Sequence, residues 1–368
     1  MEFARMELYP AFFDKDERSL LHAGCFDASS FLFKSGVCGM RLKSDRGELI
    51  VLPFQGQQIW RASFDGHDLT MKTTFDEPVI TNDYLKTYGG FLIHCGATAM
   101  GVPAKQDSHP LHGELPNRPY DRAYLALGED QDGKYLAFGG KTRYAVSFET
   151  NYTAEPEIRL YAGATTARVS MKLTNLRSAP MEYMYLCHIN FRPIDGSQLV
   201  YSAPADPAHV YAHIAIPENM PAGKAAALRQ YMEQINRDPR VHHLVDQKSQ
   251  IYDPEIVMTI KYLADRQGYA HSMALLPDGG AYYVSHRTKE LPLGLRWISR
   301  TGDEDALGMV LPSTAEHLGL DNARKNGMLK VLGGGQSMTT SIEVGYLEAA
   351  KAAKVKTTID QINEAGQK

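Results

Sequence analysis

The densest polar stretch of the chain is Asp107-Ser108-His109-Pro110-Leu111-His112-Gly113-Glu114-Leu115-Pro116-Asn117, which sets two imidazoles, two carboxylates and an amide around two prolines. Imidazole and carboxylate are the side chains that most often carry protons to and from a reacting centre near neutral pH. Proline lacks an amide donor and fixes φ, so the stretch suits neither a helix nor a central strand and reads as a rigid, partly extended loop. Such loops on a β scaffold are where binding and catalytic groups are held. The plainer alternative is a surface loop whose His and Glu are merely solvated, since titratable clusters mark sites only on average.

A second polar group lies in Met181-Glu182-Tyr183-Met184-Tyr185-Leu186-Cys187-His188-Ile189-Asn190-Phe191. A period of two puts Glu182, His188 and Asn190 on one face of an otherwise apolar strand. Polar groups in a dry core are costly unless paired, so this face reads as the floor of a pocket or as a His–Asn pair that satisfies itself. His94 stands in the apolar run Phe91-Leu92-Ile93-His94-Cys95, a short loop upstream of the polar stretch. A lone histidine in such a run is more often a core residue with one satisfied nitrogen than a ligand.

The elements that must position these groups read as strands. Glu48–Phe54 and Gln58–Phe64 form a hairpin around Gln55-Gly56-Gln57, and Tyr88–Gly96 has glycines at both ends. Tyr144–Thr150, Glu157–Tyr161 and Ala167–Asn175 follow in quick succession, with turns at Pro156 and Gly163, and so are antiparallel. Ile256–Leu263, a hairpin around Asp278-Gly279-Gly280, Leu295–Ser299 and Met338–Leu347 continue the pattern. Two helices are expected. Residues 222–236 carry Leu228, Tyr231, Met232 and Ile235 on one stripe before Pro239, and the Ala/Lys/Glu-rich tail 348–368 reads as a fraying surface helix. A short helix or edge element is expected ahead of Arg41. The organisation implied is one domain over 1–368, with its core at about 41–347, a helical insertion at about 222–236 and a helical tail.

Composition sets the outer limits. In 368 residues, 43% are hydrophobic and 22% charged, with a net charge of −4, which supports a large core and excludes a basic nucleic-acid surface. No run is long and apolar enough to span a bilayer, and the acidic start lacks the basic opening of a signal peptide. Cys25, Cys38, Cys95 and Cys187 show no paired spacing, so free thiols and a cytoplasmic location are expected.

Many short strands, a Leu111-His112-Gly113 loop and a later Cys187-His188-Ile189-Asn190 strand together resemble the galactose mutarotase (aldose 1-epimerase) superfamily. The likeness runs from about Arg41 to Leu347 and is closer to a poorly characterised aldose-1-epimerase-like branch, which shares the Cys95-Gly96 segment before Leu-His-Gly and the His-Ile-Asn-Phe strand. The resemblance implies an all-β, mainly antiparallel β-sandwich (supersandwich) with a few peripheral helices. It also implies an isomerase that interconverts sugar anomers by acid/base ring opening. His188 would be the general acid and His112 would contact the sugar, the two lining one cleft. His94, His109, Asn117, Asn190 and Glu316 are candidates for substrate binding.

One position departs from the pattern. The family's basic glutamate precedes the last strands, whereas this chain reads Leu307-Gly308-Met309-Val310-Leu311-Pro312-Ser313, with no carboxylate. Glu114 is the first candidate to replace it, because two residues along an extended loop bring it to the same side as His112, and Glu316 is the second. Two other functions compete. His109, His112, Glu114 and His188 would give a divalent metal ion N/O ligands for a sugar isomerase or lyase, although their spacing is not a standard zinc pattern. Alternatively, a carbohydrate-binding protein kept the cleft and lost the base. No cofactor is expected under the first reading. The expected partner is a small-molecule sugar, with no nucleic acid or membrane, and a homodimer is left open.

Overall fold

The most regularly alternating stretch of the sequence becomes the strand Thr166–Asn175, with Ala167, Val169, Met171 and Leu173 buried and the side chains between them turned outward. That period is what a sheet with one face on a core demands. In this computed structural model, which describes residues 1–366, the chain is mainly antiparallel sheet, as expected, and its three α-helices include the unexpected Gly319–Lys325.

Two compact units are distinguished. The first comprises Met1–Thr70, Phe75–His188 and Thr314–Gly345. One of its antiparallel runs orders the strands Glu2–Leu8, Arg122–Asp130, Gly133–Val146, Thr150–Tyr161, Thr166–Asn175 and Ser337–Leu347. The other runs from Arg18–Ala23 through Phe26–Leu32, Cys38–Lys43, Gly47–Val51, Ile59–Phe64 and Leu92–Ala97 to Met181–Ile189. The second unit comprises Met71–Thr74, Ile189–Ser313 and the chain from Tyr346 onward. Its strands Val210–Ala212, Ile256–Lys261, Leu293–Arg300 and Asp305–Ser313 pair in that order, as do Gln198–Tyr201, Tyr269–Leu275 and Ala281–Arg287.

Several boundaries differ from the sequence reading for identifiable reasons. Strands begin at Glu2 rather than near Arg41, and the N-terminal helix is reduced to one 3-10 turn at Pro10–Phe12. Pro156 does not end a strand. It lies inside Thr150–Tyr161 where pairing to the neighbouring strand lapses between Gly139–Glu157 and Thr142–Ala154, so its missing N–H leaves no gap in a ladder. The turn falls instead at Ser147–Glu149, with Phe148 at φ +70°. The helix expected over 222–236 is Ala222–Arg237, and it buries the expected Leu228, Tyr231, Met232 and Ile235. The tail helix is Ala349–Gly366, with Ala352 and Ile359 packed on Met273, Ala281 and Tyr283. Residues 367 and 368 of the expected tail lie outside the described residues.

One buried amide closes a loop of the first unit. Asn175 Nδ2 donates to the carbonyls of Ala179, Leu332 and Gly333 at 2.9, 3.0 and 3.1 Å, while its Oδ1 accepts from Arg177 N at 2.9 Å. Asn175→Ala leaves buried carbonyls without a donor, and each such group costs about 1–3 kcal/mol. A loss of roughly 2–4 kcal/mol in urea unfolding is expected, whereas the exposed control Lys172→Ala on the same strand should change stability by less than about 0.5 kcal/mol.

Candidate active site

The site loop departs from an extended chain at its centre. His112 and Gly113 both adopt positive φ, +61° and +81°, within a turn closed by Gly113 N–H donating to the Pro110 carbonyl at 2.9 Å. Left-handed backbone costs a side-chain-bearing residue about 1–2 kcal/mol. Four hydrogen bonds offset that strain here. Besides the turn bond, His112 N donates to Gly101 O (2.9 Å), Gly96 N to His112 O (3.0 Å) and Leu115 N to Gly96 O (2.8 Å). Glycine is required at both ends of this clamp. A Cβ on Gly113 would lie 2.2 Å from Ala99 O and 2.5 Å from Gly96 O, and one on Gly96 would lie 2.3 Å from Met184 O.

The turn brings His112 against His188, the two rings standing 5.3 Å apart and nearly perpendicular at 89°. Tyr84 and Tyr88 complete the cluster. The Tyr84 ring lies 4.8 Å from His112 and 6.4 Å from His188, and Tyr88 lies 5.8 Å from His188. His188 sits on the strand Met181–Ile189, whose hydrogen-bonding neighbour is the strand Leu92–Ala97 that carries Gly96. Burial, reinforced by the imidazoles of His188 and His109, holds the His112 pKa well below its ordinary 6.5. Its Nδ1 is buried without a hydrogen-bond partner. A neutral imidazole with an open ring nitrogen can exchange hydrogen bonds with a ligand's hydroxyls.

On an extended chain Glu114 would share a side with His112. The two left-handed residues between extended segments break the alternation on which that expectation rested. Its carboxylate instead accepts Thr98 N at 3.0 Å, Thr98 Oγ at 2.9 Å and the Tyr152 hydroxyl at 2.7 Å. These three donors make it a brace for the loop. Asp107 is a second brace, accepting the amides of Ala104, Leu320 and Asp321 at 2.9, 2.9 and 3.0 Å. Burial raises its pKa, but those bonds and His109 outweigh the effect and leave it lowered. His109 Nε2 stands 3.4 Å from Asp107, and His109 Nδ1 contacts the Pro110 carbonyl at 2.8 Å.

Asn117 is buried, accepting from Gln58 Nε2 at 2.8 Å, and lines an open cavity of about 380 Å3 together with Tyr84, Gly113 and Glu114. Glu316 is buried on a segment that folds back onto the same framework. Val102 N donates to His317 O at 2.7 Å beside Gly101, the residue that receives His112 N, and Thr314 N donates to Tyr185 O at 2.9 Å. His94 is a core residue. Its Nδ1 meets the Tyr185 hydroxyl at 2.8 Å, and burial depresses its pKa to about 4. Asn190, in the second unit, is fully buried, and its carbonyl accepts Met71 N at 3.0 Å.

The proposed metal ligands are not assembled: among the described residues no three His, Cys, Asp or Glu side chains converge as a metal site requires. Leu311, in the stretch without a carboxylate, is buried in the strand Asp305–Ser313. Sequence reasoning missed Tyr84, Tyr88, Thr98 and Tyr152, all aromatic or hydroxyl partners supplied from distant segments. The four cysteines are free, and no helix among the described residues is long and apolar enough to cross a membrane.

With this geometry in hand, comparison with known proteins is informative. The family model described as Domain of unknown function (DUF4432) matches residues 34–346. Among solved structures, a "putative aldose 1-epimerase" from Klebsiella pneumoniae subsp. pneumoniae superposes with a TM-score of 0.79 at 17% identity, covering 98% of this chain and 96% of its own. A galactose mutarotase-like protein from Clostridium acetobutylicum gives a TM-score of 0.57 at 12% identity, covering 87% and 98%. The Slr1438 protein from Synechocystis gives 0.57 at 15%, covering 84% and 95%. At these identities the likeness establishes a common fold, the galactose mutarotase-like β-sandwich. No curated protein matches the sequence.

Two outcomes follow from the clamp and from the buried imidazoles. Gly113→Ala should lower unfolding stability by roughly 2–4 kcal/mol through φ strain and backbone clash, read as a shift of the urea midpoint. For the imidazoles, the folded pKa lies below the unfolded value, so the unfolded chain binds more protons in acid. The stabilisation is therefore complete above about pH 7 and is lost as pH falls through about 6.5 towards 4. His94 alone accounts for about 1–2 kcal/mol between pH 7 and pH 5, and His94→Gln should flatten the stability–pH curve by that amount.

Proposed function

The chain belongs to the DUF4432 family, and we propose that it is a carbohydrate-active isomerase of the aldose 1-epimerase type. The observation that carries this reading is the His112–His188 pair, 5.3 Å apart and walled by Tyr84 and Tyr88. Opening a cyclic aldose requires removal of the anomeric hydroxyl proton and protonation of the ring oxygen. Rotation about C1–C2 and reclosure then give the other anomer. An imidazole pair beside aromatic rings supplies the proton relay, and the rings stack against the apolar face of the sugar.

In this reading His188 protonates the ring oxygen, and His112 orients the sugar through its open ring nitrogen. Glu316 takes the anomeric proton. Glu316 is carried on the segment that closes against Gly101, and Glu114, which braces the loop through Thr98 and Tyr152, is the other candidate. One observation favours a second reading, a carbohydrate-binding protein without turnover: the stretch Leu307–Ser313, which the resemblance sets against the family's basic glutamate, carries no carboxylate.

Magnetisation-exchange NMR of α and β anomers across a panel of aldoses separates the two readings. An isomerase accelerates exchange for at least one sugar, while a binder raises the melting temperature with sugar and leaves exchange at the buffer rate. His188→Asn should reduce the accelerated rate by about 10²–10⁴ with the fold retained. Glu316→Gln should match that loss, and Glu114→Gln should act chiefly on stability. If Glu114→Gln instead abolishes exchange in a protein of unaltered stability, the assignment of the base is reversed.

A further inference from the structure

The cavity beside Tyr84 adjoins His112 through that ring and through Gly113. It shares Asn82, Asn117 and Pro119 with a second, larger cavity of about 500 Å3 that reaches Phe54, Ile80 and Cys38. Each volume falls within the roughly 300–1,000 Å3 usual for small-ligand sites. A single sugar ring at the imidazoles would leave both empty.

The lining says what would fill them. Asn82, Asn117 and Gln55 offer amides, Tyr84 and Phe54 offer aromatic surface, and Val37 and Ile80 offer aliphatic surface. The charged groups along the way are already engaged. Arg118 is spent on the Arg143 carbonyl at 2.7 Å and on the Tyr144 ring, Glu114 on Thr98 and Tyr152, and Asp83 on Lys86. A channel of amides and apolar walls with its charges satisfied suits a neutral, polyhydroxylated chain, whose hydroxyls pair with amides and whose C–H faces lie on rings. It does not suit a phosphosugar, which calls for free Arg or Lys.

Resting on the isomerase reading, we infer that the ligand is a reducing oligosaccharide. Its anomeric ring sits at His112 and His188, and the following residues run past Tyr84 and Asn117 towards Cys38. The groove then acts as a specificity subsite, and the preferred substrate is longer than a monosaccharide.

Cys38 provides a readout independent of turnover. It is half-buried, and burial raises its thiol pKa to about 11, so alkylation is slow but measurable by mass spectrometry in mild base. Cys25, also partly exposed and absent from both cavity linings, serves as the internal control, and Cys95 and Cys187 are buried. The probes are lactose, maltose, cellobiose and melibiose against glucose and galactose. At least one disaccharide should slow Cys38 alkylation by about tenfold at ten times its dissociation constant, with Cys25 unaffected and the monosaccharides without effect. No protection by any disaccharide, or equal protection by monosaccharides, overturns the inference. Anomer exchange measured on the same samples keeps the two readings apart. Accelerated exchange without Cys38 protection removes the groove and leaves the isomerase, whereas protection without exchange keeps the groove and removes the isomerase.

Discussion

The candidate site depends on a backbone contact that admits no side chain. Gly96 is wedged so that a Cβ would strike the Met184 carbonyl of the adjoining strand, and its amide and carbonyl clasp His112 and Leu115 of the site loop. Because Gly113 must approach Gly96 and Ala99 as closely, the loop can lie only one way against the strand. That docking forces His112 into a left-handed conformation, and its imidazole comes to stand over His188. The strain of roughly 1–2 kcal/mol is smaller than the combined contribution of four backbone hydrogen bonds, at about 0.5–1.5 kcal/mol each.

Charges around the loop are arranged to support this geometry. Asp107 and Glu114 each accept three hydrogen bonds and hold the two flanks of the turn, one against the helix Gly319–Lys325 and one against Thr98 and Tyr152. His112, between them, is kept neutral by burial and by neighbouring imidazoles. The carboxylates nearest in sequence to His112 thus serve position. The segment that carries Glu316 is tied to the same framework, with His317 O accepting Val102 N and Leu318 bridged to Gly101.

Much of the scaffold was legible in the sequence because strand alternation and glycine or proline punctuation are local signals. Thr166–Asn175 and the stripe of helix Ala222–Arg237 follow their patterns closely. The pairing of Leu111-His112-Gly113 with the His188 strand was legible only through resemblance, since 76 residues separate the two histidines. What could not be read was set by backbone torsion and by long-range partners. Positive φ at His112 breaks the alternation from which a side for Glu114 is inferred, and Tyr152, far along the chain, donates to that carboxylate. Glu316 was poorly placed by sequence because its position rests on main-chain bonds at Gly101 and Val102, which leave no side-chain signature. The packing of the tail helix was not legible because its anchors, Ala352 and Ile359, are sparse among alanines and lysines.

The most direct examination of the account is a crystal structure with a reducing sugar bound under conditions where anomer exchange is measured. The account predicts the anomeric end of the sugar within hydrogen-bond reach of His112 and His188, with a ring of the sugar against Tyr84 or Tyr88. A sugar seated elsewhere, with the His112–His188 pair untouched, would contradict it.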